Sequence, residues 1–438
     1  MRRSLRERLE PFLPSSCVAL ADARLTPTAV EHDFESLPRP LQVALRASLS
    51  GVVVSVVLLG YLSRTQLAFY VLISISLVVY LLARGEELVG ACLDYLTSSR
   101  VLWRWGFVAW AILSLLWTSR GRLSVDRAIT LVEIQVLGLV FFDAARNLGL
   151  SRWILNCVFG CTVVAAAYAI AMRNPAVVER LTGPYLSANT LAISCVIGMA
   201  VFISVASRRR RTAESVGLHA AALILLIGIV GSSSLKGLLG LLLVCGLGAV
   251  LAASRARSLA FVGVAAGLGA ALVAFVKPFE LVWEGALYRA ELAVMTISTS
   301  VGVNNSVVER ERFIRKGLSL IAESPLFGRG LDTFRWLSGE GTYAHNNLVE
   351  LGVALGIVGI VLYYGLHLSV LAGAARLRRT DDFVWRFIVI AVPTMLLLDI
   401  AAVSYTSKLP TLLLIMSAGW LERTRVRDAS FVPRGSAQ

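Results

Sequence analysis

Apolar stretches of roughly 20 residues, separated by short arginine-rich turns, recur along almost the whole chain. That is the length an α-helix needs to cross a hydrocarbon core. The pattern predicts twelve spans: 43–62, 66–83, 101–118, 125–145, 152–172, 187–206, 216–231, 235–253, 258–276, 346–372, 384–403 and 408–421. The third, seventh and twelfth are short or interrupted. No apolar run lies near the beginning of the first forty residues, so no cleavable signal peptide is expected. "MRRSLRERLE" reads instead as a short basic, amphipathic segment against an anionic inner leaflet. The expected fold is all-α, a polytopic membrane protein. Its parts are a basic cytoplasmic segment (1–40), nine spans (41–276), a large outer loop (277–344) bearing a surface helix, three further spans (345–421) and a cytoplasmic tail (422–438).

Composition agrees. The 438 residues are 57% hydrophobic and 16% charged, with mean hydropathy +0.73, against about 45–50% apolar and about 25% charged in soluble domains. Cys92, Cys157, Cys161, Cys195 and Cys245 lie in or beside apolar runs without a CxxC pair. They read as small buried hydrophobes, not a disulfide framework. A net charge of +14 suits nucleic acid in a soluble chain, but here the arginines gather between apolar runs, which is the signature of membrane topology. "SRRRRT" (207–212), "SRARS" (254–258), "RLRRT" (376–380) and "ERTRVR" (422–427) fall on one face. The positive-inside bias makes that face cytoplasmic, with both termini inside and 277–344 outside. The closing "FVPRGSAQ" is one residue from a common protease-site linker and carries no part of the functional reading.

The outer cations are the informative ones. Arg120, Arg122 and Arg127 flank the loop between the third and fourth spans. Arg180 sits in "VVERLTGPYLSANTLA", Lys236 in "GSSSLKGLLG", and Arg310, Arg312 and Arg315 in "ERERFIRKGLSLIAESP". Singly, such residues are ordinarily solvated, lipid-facing or, for Lys236, snorkelling. Together they make a basic bowl suited to a diphosphate. Within the large loop, Ile314, Leu318 and Ile321 recur at helical spacing opposite Arg310, Arg312, Arg315 and Lys316, which predicts an amphipathic surface helix over 307–322. Ser324-Pro325 stops it. Gly328 and Gly330 in "FGRGLDTF" read as a turn with unusual backbone angles; a lone GxG does not make a phosphate site.

In "GTYAHNNLVELGVALGIVGIVLYYGL" (341–366), His345 stands where a polar turn enters the tenth span. His32, His219 and His367 read as ordinary interface residues. His345 differs in its neighbours: the turn-forming Gly341-Thr342, Tyr343 as interface anchor, and Asn346 and Asn347 to satisfy the first helical turn. Close to a helix N-terminus an imidazole tends to stay neutral, and a neutral imidazole can take a proton from a hydroxyl. Asp332 or Glu350 could orient it, although i to i+5 is a poor helical pairing. Residue chemistry alone leaves His345 open between proton acceptor and interface residue. No HExxH, Cys/His metal spacing, P-loop or GxSxG occurs. Acidic residues within the spans are few (Glu133, Asp399 and, at the border, Asp143), and no internal repeat is visible. An ion-coupled or polysaccharide transporter, the reading from another class, would show more of both.

The order "ERERFIRKGLSLIAESPLFGRGLDTF", then "AHNNLVELGVALGIVGIVLYY", resembles the shared domain of O-antigen ligases, O-antigen polymerases and exopolysaccharide polymerases. The likeness is strongest from about Ser232 to Leu371, and "RLTGPYLSANTLA" is similar to the polar outer segment before that family's middle spans. The resemblance implies a glycosyltransferase of the bacterial inner membrane with a periplasmic active site. It implies en bloc transfer of a glycan from undecaprenyl diphosphate, with no cofactor, no metal and no nucleic acid. Its partners would be membrane lipids, a glycan or lipid A core acceptor and other polysaccharide-assembly proteins. His345 matches the family histidine thought to activate the acceptor hydroxyl. Arg310 and Arg180 match arginines that would bind the donor diphosphate, with Lys236 beside them and Arg312, Arg315 and Asn346 in support. The family usually shows Ser-Arg-Gly where this chain has Leu235-Lys236-Gly237; lysine keeps the charge and loses the bidentate fork. These motifs do not separate ligase from polymerase; ligase, with lipid A core as acceptor, is the expectation.

Overall fold

The computed structural model describes residues 34–59, 66–118, 121–173, 180–185, 187–206, 212–251, 305–377 and 383–430. The described residues form helices joined by turns, without strands. The helices are α1 (Arg39–Val54, extended by a π-turn over Ser55–Leu59), α2 (Gln66–Arg84), α3 (Glu87–Thr97), α4 (Val101–Leu113, then a 3-10 turn over Ser114–Leu116) and α5 (Gly121–Arg146). They continue with α6 (Ser151–Ala171), α7 (Ala188–Ala206), α8 (Thr212–Gly231), α9 (Leu235–Leu251) and α10 (Asn305–Glu323). The last are α11 (Phe334–Leu337), α12 (Asn347–Arg376), α13 (Phe383–Asp399) and α14 (Lys408–Ser430). Seven of the described helices are long and apolar enough to cross a membrane, and two shorter apolar helices cover Val101–Leu116 and Leu235–Leu251. This is an all-helical polytopic membrane protein. The expected span 258–276 and Arg120 lie outside the described residues.

Two features depart from the expected pattern. Residues 87–97 form α3 where only a connection was expected, because eleven residues are too few to read as a span. The helix is held from its polar side by an Asp94–Arg146 ion pair of 2.5 Å. The second departure is in α12. The apolar run continues without interruption, but Gly356 takes φ 65°, ψ −167° and breaks the helix. The break frees backbone groups that must find partners in a dry environment, and the turn after α10 supplies them. Arg329 N–H donates to Val353 O (2.7 Å), Gly330 N–H to Ala354 O (2.8 Å), and Ile357 N–H to Pro325 O (2.9 Å). Trp110 Nε1 donates to Leu355 O at 3.0 Å. Gly328 (φ +70°) lies so close that a Cβ there would stand 2.5 Å from the Ala354 carbonyl. The GxG turn is thus a plug seated in the α12 break.

The main core joins α1, α2 and α5–α8 with α13 and α14, and α5 packs along α14. At one end of the bundle Asp143, fully buried, accepts from Arg84 Nε (2.7 Å), Arg84 Nη2 (3.0 Å) and Tyr80 OH (2.6 Å), tying α2 to α5. At the other end the amphipathic α10 lays Phe313 and the half-buried Ile314 and Ile321 on Phe334, Ala344, Val349 and Val353. Gly317 lets the Val349 side chain in where a Cβ would collide. A surface helix is thereby fixed to the first turns of α12, directly beside His345.

Candidate functional site

His345 is reached through a left-handed residue. Its φ is +56°, a conformation costing of order 1–3 kcal/mol in a non-glycine residue. The flanking bonds hold it there. Ala344 N–H donates to Glu350 Oε2 at 2.7 Å, and Glu350 is 1% exposed. Asn346 caps α12, its Oδ1 accepting from Val349 N–H (3.1 Å) while its Nδ2 donates to Ile400 O (2.9 Å). Asn347, wholly buried, donates from Nδ2 to Tyr364 OH (3.1 Å) and Asp399 Oδ2 (3.3 Å), and its Oδ1 accepts the Ser404 and Tyr405 N–H groups at 3.0 and 3.1 Å. The His345 ring stacks against Phe313 of α10 (5.9 Å between centroids, 12°) and leans on Tyr343 at 4.2 Å.

The positive charges converge on the same place. Lys236, 6% exposed, stands in the first turn of α9, buried and not snorkelling. Ser233, just before it, is also left-handed (φ +48°). Arg180 donates from Nε to Ser232 O (2.8 Å) and from Nη2 to Asn189 Oδ1 (3.2 Å). Asn189 Oδ1 also accepts from Ser234 Oγ at 2.8 Å. This network ties the segment before α7 to the α8–α9 turn. Arg180 and Arg310 both lie close enough to Lys236 for their charges to act on it. Among the described residues no carboxylate pairs with Arg310. Burial first, then the charges of Lys236 and Arg310, push the His345 imidazole down to about 4, so it is neutral at pH 7.

The four residues Arg180, Lys236, Arg310 and His345 are therefore brought together from four separate stretches of chain. Arg312 and Arg315 are not part of that group. Arg312 pairs with Glu340 (2.9 Å) and Arg315 with Glu311 (2.5 Å). Glu340 also accepts Lys316 Nζ at 2.7 Å, so Arg312 and Lys316 pin the 338–341 turn to α10. Asn346 acts as a helix cap.

Beside this group opens a cleft of about 270 Å³ whose wall includes Asn189, Ser194, Lys236, Tyr343, Asp332 and Tyr405. It has two ends. Lys236 belongs with Arg180 and Arg310; Arg127 instead pairs with Asp332 (3.5 Å), beside the buried Glu350. Arg335 also pairs with Asp332, at 3.3 Å. Sequence reasoning did not single out Asn189, Phe313 or the Asn347–Asp399–Ser404 clamp. The available signal was an unusual density of polar residues at the starts of apolar helices. Among the described residues no His, Cys, Asp and Glu cluster is arranged to hold a metal ion.

No curated protein matches this chain. Residues 220–364 do match a family model described as O-antigen ligase. The matched stretch contains the α8–α9 turn with Lys236, helix α10 with Arg310, the GxG plug and His345. It supports ligase- or polymerase-type activity, in general terms a lipid-linked glycan donor and a sugar acceptor. Over residues 220–364, about a third of its length, the chain is similar to the O-antigen ligase family.

Proposed function

We propose that the protein is an O-antigen ligase: a glycosyltransferase of the bacterial inner membrane that moves a glycan en bloc from undecaprenyl diphosphate to a sugar hydroxyl of lipid A core, on the periplasmic side. The observation that carries this reading is the meeting of three cations, Arg180, Lys236 and Arg310, with one neutral imidazole.

The donor diphosphate would rest on the three cations. Lys236 is buried with no paired carboxylate among the described residues, which is unfavourable for the empty protein, and a dianion relieves it. As the acceptor oxygen bonds to the anomeric carbon, the bond to the diphosphate breaks and its electron pair leaves with the diphosphate oxygen. The cations stabilise that developing charge, the electrostatic part of the catalysis. His345 takes the proton from the acceptor hydroxyl and later returns it to solvent. Attack from the face opposite the leaving group inverts the anomeric carbon.

Three carboxylates within the described helices or at their ends speak against a transport path. Asp143 is engaged by Arg84, Glu133 by Lys408 at 2.9 Å, and Asp399 by Ser404 and Asn347. Polymerase activity differs from ligase activity only in the acceptor. Purified protein given undecaprenyl-diphosphate-linked glycan with lipid A core, or with a second lipid-linked chain, tests the choice. Product on lipid A core supports the ligase, and lengthened lipid-linked chains would make it a polymerase.

A further inference from the structure

A second cavity lies on the other side of the partition formed by α5 and α14. It measures about 470 Å³ and is lined by the first half of α2, the end of α4, the first half of α5 and Lys408. Its α5 wall is the stripe Val125, Ala128, Ile129, Val132 and Val136, which recurs at helical spacing. Ile129 and Val132 are 52% and 43% exposed and face away from the packed core. The only charged residues in the lining are Glu133 and Lys408. These pair with each other at 2.9 Å, and Lys408 lies over the Phe69 ring at 4.5 Å.

Groove and cleft share their partition residue by residue. Arg127 lines the cleft and Ala128 the groove; Leu409 and Pro410 line the cleft and Lys408 the groove. Both therefore open at the same end of the bundle. The groove adjoins the cleft at Arg127, which pairs with Asp332, whereas Lys236 is grouped with Arg180 and Arg310. An amphiphile with a hydrocarbon chain in the groove would carry its polar part over the first turns of α5 and α14 to Asp332, Glu350 and Tyr405 of the cleft, which can bind sugar hydroxyls. The diphosphate belongs with the grouped cations Lys236, Arg180 and Arg310.

We infer that this groove seats one hydrocarbon chain of the membrane-anchored acceptor, so that acceptor and donor lipids approach the cleft from different sides. The inference rests on the ligase reading for the identity of the acceptor, lipid A core. The test fills the groove from its exposed wall with Val132→Trp and, separately, Ile129→Trp. Neither residue belongs to the catalytic group. In purified protein the KM for lipid A core should rise about tenfold, the equivalent of roughly two lost buried methylenes. The KM for the same core glycan released from its lipid, and the KM for the donor, should stay unchanged.

An unchanged KM for lipid A core would overturn the inference, and so would a rise confined to the donor, which would assign the groove to the polyprenyl chain. A readout independent of turnover is photo-cross-linking with lipid A core carrying a diazirine in an acyl chain. Label on the 125–137 stretch of α5 that is lost in Val132→Trp is expected; label elsewhere only would sink the idea. Absence of transfer by the unaltered protein to every acceptor would count against the ligase reading, while the cross-link still decides the groove.

Discussion

The backbone N–H of Ala344 donates to Glu350 Oε2 at 2.7 Å, so a buried carboxylate one turn inside α12 grips the chain immediately before His345. Read along the sequence, Glu350 looked too far round the helix to orient the imidazole. The structure shows it acting on the backbone instead of the ring, which fixes the left-handed φ of His345 and hence where the ring can point. Glu350→Gln keeps an acceptor oxygen and should retain most of the activity. Glu350→Ala removes it and should lower kcat at least tenfold with little change in donor KM, because His345 loses its position and the cations do not. Steady-state kinetics of the two variants check this.

The depressed imidazole of His345 sets a pH dependence. A proton acceptor must be neutral, and in the empty protein His345 is neutral at any pH above about 4. The kcat/KM profile, which reports the free enzyme, should therefore stay flat from neutral pH downward until the imidazole protonates near 4. Part of the depression comes from Lys236 and Arg310. A bound diphosphate offsets those charges, so kcat, which reports the complex, should begin to fall at a higher pH than kcat/KM. Coincident profiles would contradict the placement of the diphosphate.

Lys236 offers a sharper separation of stability from function. Among the described residues no carboxylate pairs with Lys236, and removing such a buried cation relieves desolvation. Lys236→Gln should leave the thermal midpoint unchanged or raise it, yet raise the donor KM about tenfold, the loss of one charge-assisted contact. Lys236→Arg should restore donor binding.

Away from the site, Asp143 gives the opposite pattern. Deleting one partner of a buried, hydrogen-bonded ion pair typically costs about 3–5 kcal/mol. Asp143→Ala should lower the unfolding midpoint strongly while the folded fraction keeps its donor KM, because Arg84 and Tyr80 hold α2 to α5 at the end of the bundle remote from His345.

Gly356 joins the fold to the site. Alanine there would place a Cβ on the Leu326 carbonyl and require a positive φ. The strain alone is of order 1–3 kcal/mol, and expelling the Pro325–Gly330 plug would free the backbone groups it satisfies. Gly356→Ala should lower both the unfolding midpoint and kcat, since α10, which packs on His345 through Phe313, runs directly into the plug.

Much of this was legible in the sequence, for identifiable reasons. Apolar length alone marks the spans, and the alternation of Ile314 and Ile321 with Arg310 and Arg315 marks α10, because both depend on local periodicity. The cations of the site could be picked out because positive charge away from the arginine-rich turns is unusual in such a chain. What could not be read were long-range placements. Arg180 meets Lys236 through Ser232, Ser234 and Asn189, none of which carries a pattern of its own. The break at Gly356 is hidden because the apolar run passes through it, and its compensation comes from a loop preceding the helix. Arg312 and Arg310 look equivalent on the helix, but only the structure shows Glu340 engaging the first of them.

The central claim is that His345 removes the acceptor proton while Arg180, Lys236 and Arg310 hold the donor. Single-turnover transfer from undecaprenyl-diphosphate-linked glycan, measured beside equilibrium donor binding for the unaltered protein and for His345→Ala, tests it most directly. The account predicts unimpaired donor binding with transfer reduced about 10²–10⁴-fold, the range of general-base catalysis. Transfer at the unaltered rate in His345→Ala would contradict it.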